Sequence, residues 1–135
     1  MAFIEWTDDL NTGIGTCDRQ HHKLVELINL LHEAMLAGKG KTVMHDLLRE
    51  LVDYTVYHFE TEEELFARHG YPDAPSHILE HRKLTQTAVE LRDKVASGGR
   101  VITIDVMNFL KQWLNNHIIH TDKRYGPFLK VKGVK

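Results

Sequence analysis

Residues 47–81 read LLRELVDYTVYHFETEEELFARHGYPDAPSHILEH. Leu47, Leu51, His58, Glu62, Leu65 and Phe66 recur at steps of three, four or seven, the spacing of one helical face. Gly70-Tyr71-Pro72 ends that run, because glycine suits the residue after a helix and proline cannot continue one. Pro75 suits the first turn of a new helix, which carries His77, His81, Leu84, Ala88, Leu91 and Val95. Toward the N-terminus, Leu24, Ile28, Leu31 and Met35 mark another helix, with Asp18 as its expected N-cap and Gly38 and Gly40 as its stop. Toward the C-terminus, Gly98-Gly99 close one helix, and Val106, Leu110, Trp113 and Leu114 mark the next. The expected helices span about 18–37, 42–69, 74–96 and 104–121 of a single domain covering 1–135, after an irregular arm at 1–17. A short tail holds Tyr125, Pro127 and Phe128. Four amphipathic helices on short loops predict an all-α fold, an antiparallel up-down-up-down four-helix bundle.

The chain of 135 residues, 42% hydrophobic and 27% charged, suits one globular domain with a substantial core. The net charge of -2 has no basic or acidic block, so neither nucleic acid nor a membrane surface is an expected partner. The N-terminus has neither a basic start nor a long apolar run; a cytoplasmic monomer is expected. Cys17, the one cysteine, excludes an intrachain disulfide and a cysteine-based metal site. Ten histidines in so short a chain need an explanation.

Phase supplies it. A ligand at the centre of a bundle must lie on the stripe that faces the core. His21 precedes Leu24, Ile28 and Leu31 in step, whereas His22 shares its face with Glu26, Asn29 and Glu33. His58 and Glu62 continue from Leu51, His77 and His81 lead into Leu84, and His117 follows Leu110 and Leu114. His22, His32, His45, His69 and His120 fall outside the pattern and read as surface or helix-end residues. Asp122 lies five residues after His117, a step that does not stack on an α-helix, so the helix must end near Thr121 to turn this carboxylate inward. Asp105 sits at the wrong end of that helix. Because alternate helices run oppositely, His21, His58, Glu62, His77, His81, His117 and Asp122 all fall at one end of the bundle. Five imidazoles and two carboxylates exceed a tetrahedral zinc site, which closes with four ligands. They suit two ions if the carboxylates bridge.

In these residues the sequence resembles the hemerythrin family, and within it the single-domain bacteriohemerythrins. The matching stretches are Asp18-Arg19-Gln20-His21, His58-Phe59-Glu60-Thr61-Glu62-Glu63, His77-Ile78-Leu79-Glu80-His81 and Trp113-Leu114-Asn115-Asn116-His117, with Asp122 and Tyr125. Trp6 and Gly70-Tyr71 fit as well. The resemblance implies two iron ions, Fe2+ or Fe3+, with an oxo or hydroxo bridge and no haem. It places His77, His81 and His117 on one iron, His21 and His58 on the other, and Glu62 and Asp122 across both.

The unequal split leaves one position open on the two-histidine iron. The resemblance implies reversible O2 binding there, for storage, transport or delivery to an oxygen-consuming enzyme, with no catalysis by the protein itself. Leu114, Ile118, Trp113 and Phe59 are expected to line the O2 pocket. The Glu-x-x-His ligand pairs of ferritin-like carboxylate proteins are missing, and an imidazole-rich site suits Fe2+. Two alternatives stand beside the carrier: a sensor module for O2 or redox state, and a di-iron enzyme or scavenger acting on peroxide, nitric oxide or iron. With the chain ending at Lys135 and no signalling domain attached, the carrier is the expectation.

Overall fold

The computed structural model describes residues 2–99 and 101–135; Met1, the first residue of the expected arm, lies outside them. Four long helices carry the chain: α1 (Gly15–Leu36), α2 (Lys41–His69), α3 (Ala74–Ala96) and α4 (Ile104–His120). A 3-10 turn at Asp122–Arg124 leads into a fifth helix, α5 (Tyr125–Val131). The long helices form a four-helix bundle in which α1 packs on α2 and α4, and α2 on α3.

The stripes bury as their spacing requires. Leu24, Ile28 and Leu31 from α1 meet Leu48 and Leu51 from α2 and Val106, Met107 and Leu110 from α4 in one apolar interior. On α2 it is Leu48, not Leu47, that reaches the centre of the core. Leu48, Leu51, Thr55, His58 and Glu62 keep unbroken steps of three and four, and all are buried. Leu47 sits one residue off that line and is only partly covered.

Asp18 is not the N-cap that its position suggests. The helix begins earlier, with Ile14 in the cap position. The Asp18 carboxylate instead accepts the backbone N–H groups of Thr12 at 2.8 Å and Gly13 at 3.1 Å, and the Thr12 hydroxyl at 2.7 Å. Still close to the helix N-terminus, where an acid is favoured, it ties the arm down. The arm is further held by Asn29, whose side chain pairs with both backbone groups of Ile4 at 2.8 and 3.0 Å.

The tail is helical, which the sequence pattern did not suggest. In α5, Tyr125 and Leu129 are fully buried against Ile14, Cys17, Phe66 and Tyr71. Gly126 permits this close approach, because a Cβ there would fall 2.1 Å from the Thr12 carbonyl oxygen. Among the described residues the fold thus has two apolar clusters, the bundle interior and the α5 cap. The polar site lies between them.

Candidate metal centre

The structure brings all seven expected residues together. His21, His58, Glu62, His77, His81, His117 and Asp122 are each no more than 3% exposed. The helical stripes carry six of them inward in step with the leucines. Asp122 arrives by another route. α4 stops at His120, the Thr121 N–H donates to the His117 carbonyl at 2.9 Å, and the tighter 3-10 turn rotates the carboxylate inward.

The two oxygens of each carboxylate divide the histidines between them. Asp122 Oδ1 lies 2.9 Å from Nε2 of His77 and 2.9 Å from Nε2 of His117, while Oδ2 lies 2.9 Å from Nε2 of His21. Glu62 Oε1 lies 3.0 Å from His81 Nε2, and Oε2 lies 3.3 Å from His58 Nε2. Two overlapping groups result: His77, His81 and His117 with both acids, and His21 and His58 with both acids, their ligating atoms within 4.8 Å of one another.

These approaches do not satisfy the atoms involved. Among the described residues, Nε2 of His21, His58, His77, His81 and His117, Glu62 Oε1 and both Asp122 oxygens have no hydrogen-bond partner. Buried polar atoms nearly always find one, and leaving this many unpaired is costly. Imidazole nitrogens and carboxylate oxygens facing one another in this manner have the donor chemistry of a cation site.

Three of the opposite ring nitrogens face acceptors outside the cluster. His58 Nδ1 lies 2.6 Å from Gln20 Oε1, an acceptor, so the proton sits on Nδ1 and the Nε2 lone pair faces inward. His81 Nδ1 faces Glu63 Oε2 at 2.9 Å, and His117 Nδ1 faces Glu80 Oε2 at 3.3 Å. The Tyr125 hydroxyl donates to Glu62 Oε2 at 2.5 Å and orients that acid. Sequence reasoning missed Gln20, Glu63, Glu80 and Tyr125 as members of the site. Gln20 and Tyr125 carried a usable signal, one residue before His21 and three after Asp122. Glu63 and Glu80, partly exposed on the bundle surface, resemble any helix-face acid.

Without a cation the cluster retains protons. Burial opposes charge on His21 and His77, but Asp122 and Glu62 outweigh it and raise both to about 9. His117 is raised to about 10 in the same way. Burial also opposes charge on Glu62 and Asp122, yet the surrounding imidazoles hold both carboxyls well below the usual range. His58 goes the other way, lowered because burial prevails.

The remaining histidines stay outside. His22 is exposed and stacks on Trp6 with ring centroids 3.6 Å apart, and His32 stacks on Phe3 at 4.2 Å. His45 and His69 are partly covered, and His120 is exposed.

Beside the cluster is a cavity of about 10 Å³, close to the room one water-sized molecule requires. It borders His21, His58, His117 and Asp122, but neither His77 nor His81. Its apolar wall is Leu24, Phe59, Leu84, Trp113 and Leu114. Ile118, expected in that wall, is fully buried in the bundle core instead. Leu24 and Leu84 were not anticipated there.

The Hemerythrin HHE cation binding domain family matches residues 12–129. A bacteriohemerythrin of Methylococcus capsulatus is 35% identical over 132 residues, covering 97% of this chain and all 100% of that protein. One from Pseudomonas paraeruginosa is 40% identical, covering 93% of this chain and 80% of its own length. A crystal structure of wild-type hemerythrin superposes with a TM-score of 0.86 at 35% identity, covering 93% of this chain and 97% of that one.

Proposed function

This chain belongs to the hemerythrin family and binds O2 at a non-haem iron site, and from that premise we propose a specific assignment of its ligands. Glu62 and Asp122 would serve both of two iron ions, His77, His81 and His117 would hold one, and His21 and His58 would hold the other. When bound, the iron pair supplies the electrons for reversible O2 uptake. The observation that carries this reading is the position of the cavity. It borders both histidines of the ion with fewer protein ligands, His21 and His58, but only His117 of the three on the other.

The chain's own residues account for the rest. Gln20 holds His58 in the tautomer that presents Nε2, and Tyr125 holds Glu62. Leu24, Phe59, Leu84, Trp113 and Leu114 keep water from the bound ligand. Among the described residues that wall is apolar beyond the metal ligands, and the Trp113 N–H is turned to the Leu84 carbonyl. A wall without acid–base groups favours holding O2 over proton-coupled turnover, which supports storage or delivery.

Iron analysis and reversible spectroscopy test the assignment. About two irons per chain are expected. Anaerobically reduced protein should gain a visible charge-transfer band in air and lose it on deoxygenation. Zinc, or a single iron per chain, would overturn the paired site. Steady O2 consumption with a substrate would overturn the carrier.

A further inference from the structure

We infer that ligands reach the buried cavity through the seam between α3 and α4, and that the Trp113 side chain is the gate. This rests on the O2-binding reading above. The cavity itself is closed in by side chains from all four long helices. Outside it, between α3 and α4, runs a surface groove of about 350 Å³, bordered by Glu80, Thr87, Phe109, Gln112 and Asn116. Leu84, Trp113 and His117 line both spaces, so these three side chains form the partition. The groove beneath the N-terminal arm and the one at the far end of the bundle share no wall residue with the cavity.

Of the three, His117 belongs to the cluster, with Asp122 at 2.9 Å from one ring nitrogen and Glu80 at 3.3 Å from the other. The movable part is Leu84 with Trp113. Leu84 is only partly buried and Trp113 is 8% exposed, so a short thickness of side chain separates solvent from the cavity. Among the described residues the indole makes one hydrogen bond: Trp113 Nε1–H donates to the Leu84 carbonyl at 3.3 Å. A bond of that length is a weak restraint. Rotating the indole off that carbonyl joins the groove to the cavity without separating the helices. The outer groove is bordered largely by polar residues, but its inner end at Leu84 and Trp113 is apolar, and that inner step favours a small neutral molecule over an ion.

A gate has a kinetic signature that a contact does not. It changes the rates of association and dissociation by the same factor and leaves the equilibrium constant unchanged, because it has no differential interaction with the bound and free states. Thr87 lies in the groove but not in the cavity wall, so Thr87→Phe fills the outer passage without touching the ligand. The test is stopped-flow O2 binding and laser-flash release on the iron-loaded protein. Thr87→Phe should slow both rates by about fivefold or more with Kd unchanged, and Trp113→Phe, which keeps the packing and loses the hydrogen bond, should speed both. Rates at wild-type values in both variants, or a change confined to dissociation, would overturn the seam as the route.

A second measurement is independent of iron. In metal-free protein the Trp113 indole N–H should exchange with solvent at least about tenfold faster than core amides such as that of Leu110, through local opening. Thr87→Phe should slow that exchange. Exchange of the indole only at the rate of global unfolding would overturn the gate. If the wild-type protein takes up no O2 at all, the functional reading fails while the exchange result still decides whether the seam opens.

Discussion

A metal-facing imidazole almost always donates its other ring N–H to an acceptor, and at His58 that acceptor is Gln20. Gln20→Leu leaves a buried Nδ1–H without an acceptor or turns the ring to the wrong tautomer. Iron affinity should fall about 10- to 100-fold, read by competition with a chelator. Glu80→Gln should cost less, because the Glu80 contact with His117 is longer, at 3.3 Å, and its side chain is 40% exposed. The His117 ring beside Glu80 holds that carboxyl at about 2, so the partner is an ionised acid. The phase argument is checked by a pair of variants. His77→Ala should abolish iron binding, and His22→Ala, on the exposed face of α1, should retain it. Loss of iron from the His22 variant alone would contradict the assignment of His21.

At the scale of elements, α5 is the part that couples the end of the chain to the site. Tyr125 reaches Glu62 because Gly126 lets the helix lie against the arm. Gly126→Ala forces a Cβ into the Thr12 carbonyl, so α5 must lift and carry Tyr125 with it. We expect a loss of about 1–3 kcal/mol in stability, together with weaker iron binding, measured by thermal unfolding and metal competition. Gly70→Ala is the informative contrast. Its backbone has φ +69 and closes α2 through N–H groups of Gly70 and Tyr71 on the Phe66 carbonyl, at 2.8 and 3.1 Å, but a Cβ there meets nothing. Its cost should be the left-handed penalty, about 1–2 kcal/mol, with iron binding intact.

For the molecule as a whole, the cluster links stability to pH in opposite senses with and without metal. In the metal-free protein, His21 and His77 are raised to about 9 and His117 to about 10. Their stabilisation is full below the unfolded value of 6.5 and is lost as pH rises through 9 to 10. Glu62 and Asp122 are lowered, so their contribution is present above about pH 4.5 and lost on acidification. His58, lowered by burial, opposes the other histidines below 6.5. Metal-free Tm should therefore peak between about pH 5 and 6.5 and fall toward pH 9. Iron binding must displace the imidazole protons, so the added stability from iron should grow over the same rise in pH. Thermal melts with and without metal check this, and an increment independent of pH would contradict it.

How much of this is legible in the sequence follows from range. Steps of three and four placed six of the seven site residues on core-facing stripes, because helical phase is a local property of the chain. Alternating helix direction then put them at one end, since short loops leave little choice of topology. Asp122 required the helix to end at the right residue, and the 3-10 turn after His120 is how it does so. What lies beyond local phase needed the tertiary structure. The Tyr125–Glu62 pair spans 63 residues of sequence, and Gln20 meets His58 across 38. α5 is too short for periodicity to reveal, and its burial depends on a glycine whose reason is a carbonyl in the arm. The division of each carboxylate between two sets of histidines is likewise a matter of distances between helices. Sequence by itself determined which side chains enter the core, because that depends on position along one helix. Only the folded chain decided which oxygen faces which nitrogen and where the cavity opens, because those depend on how separate helices pack.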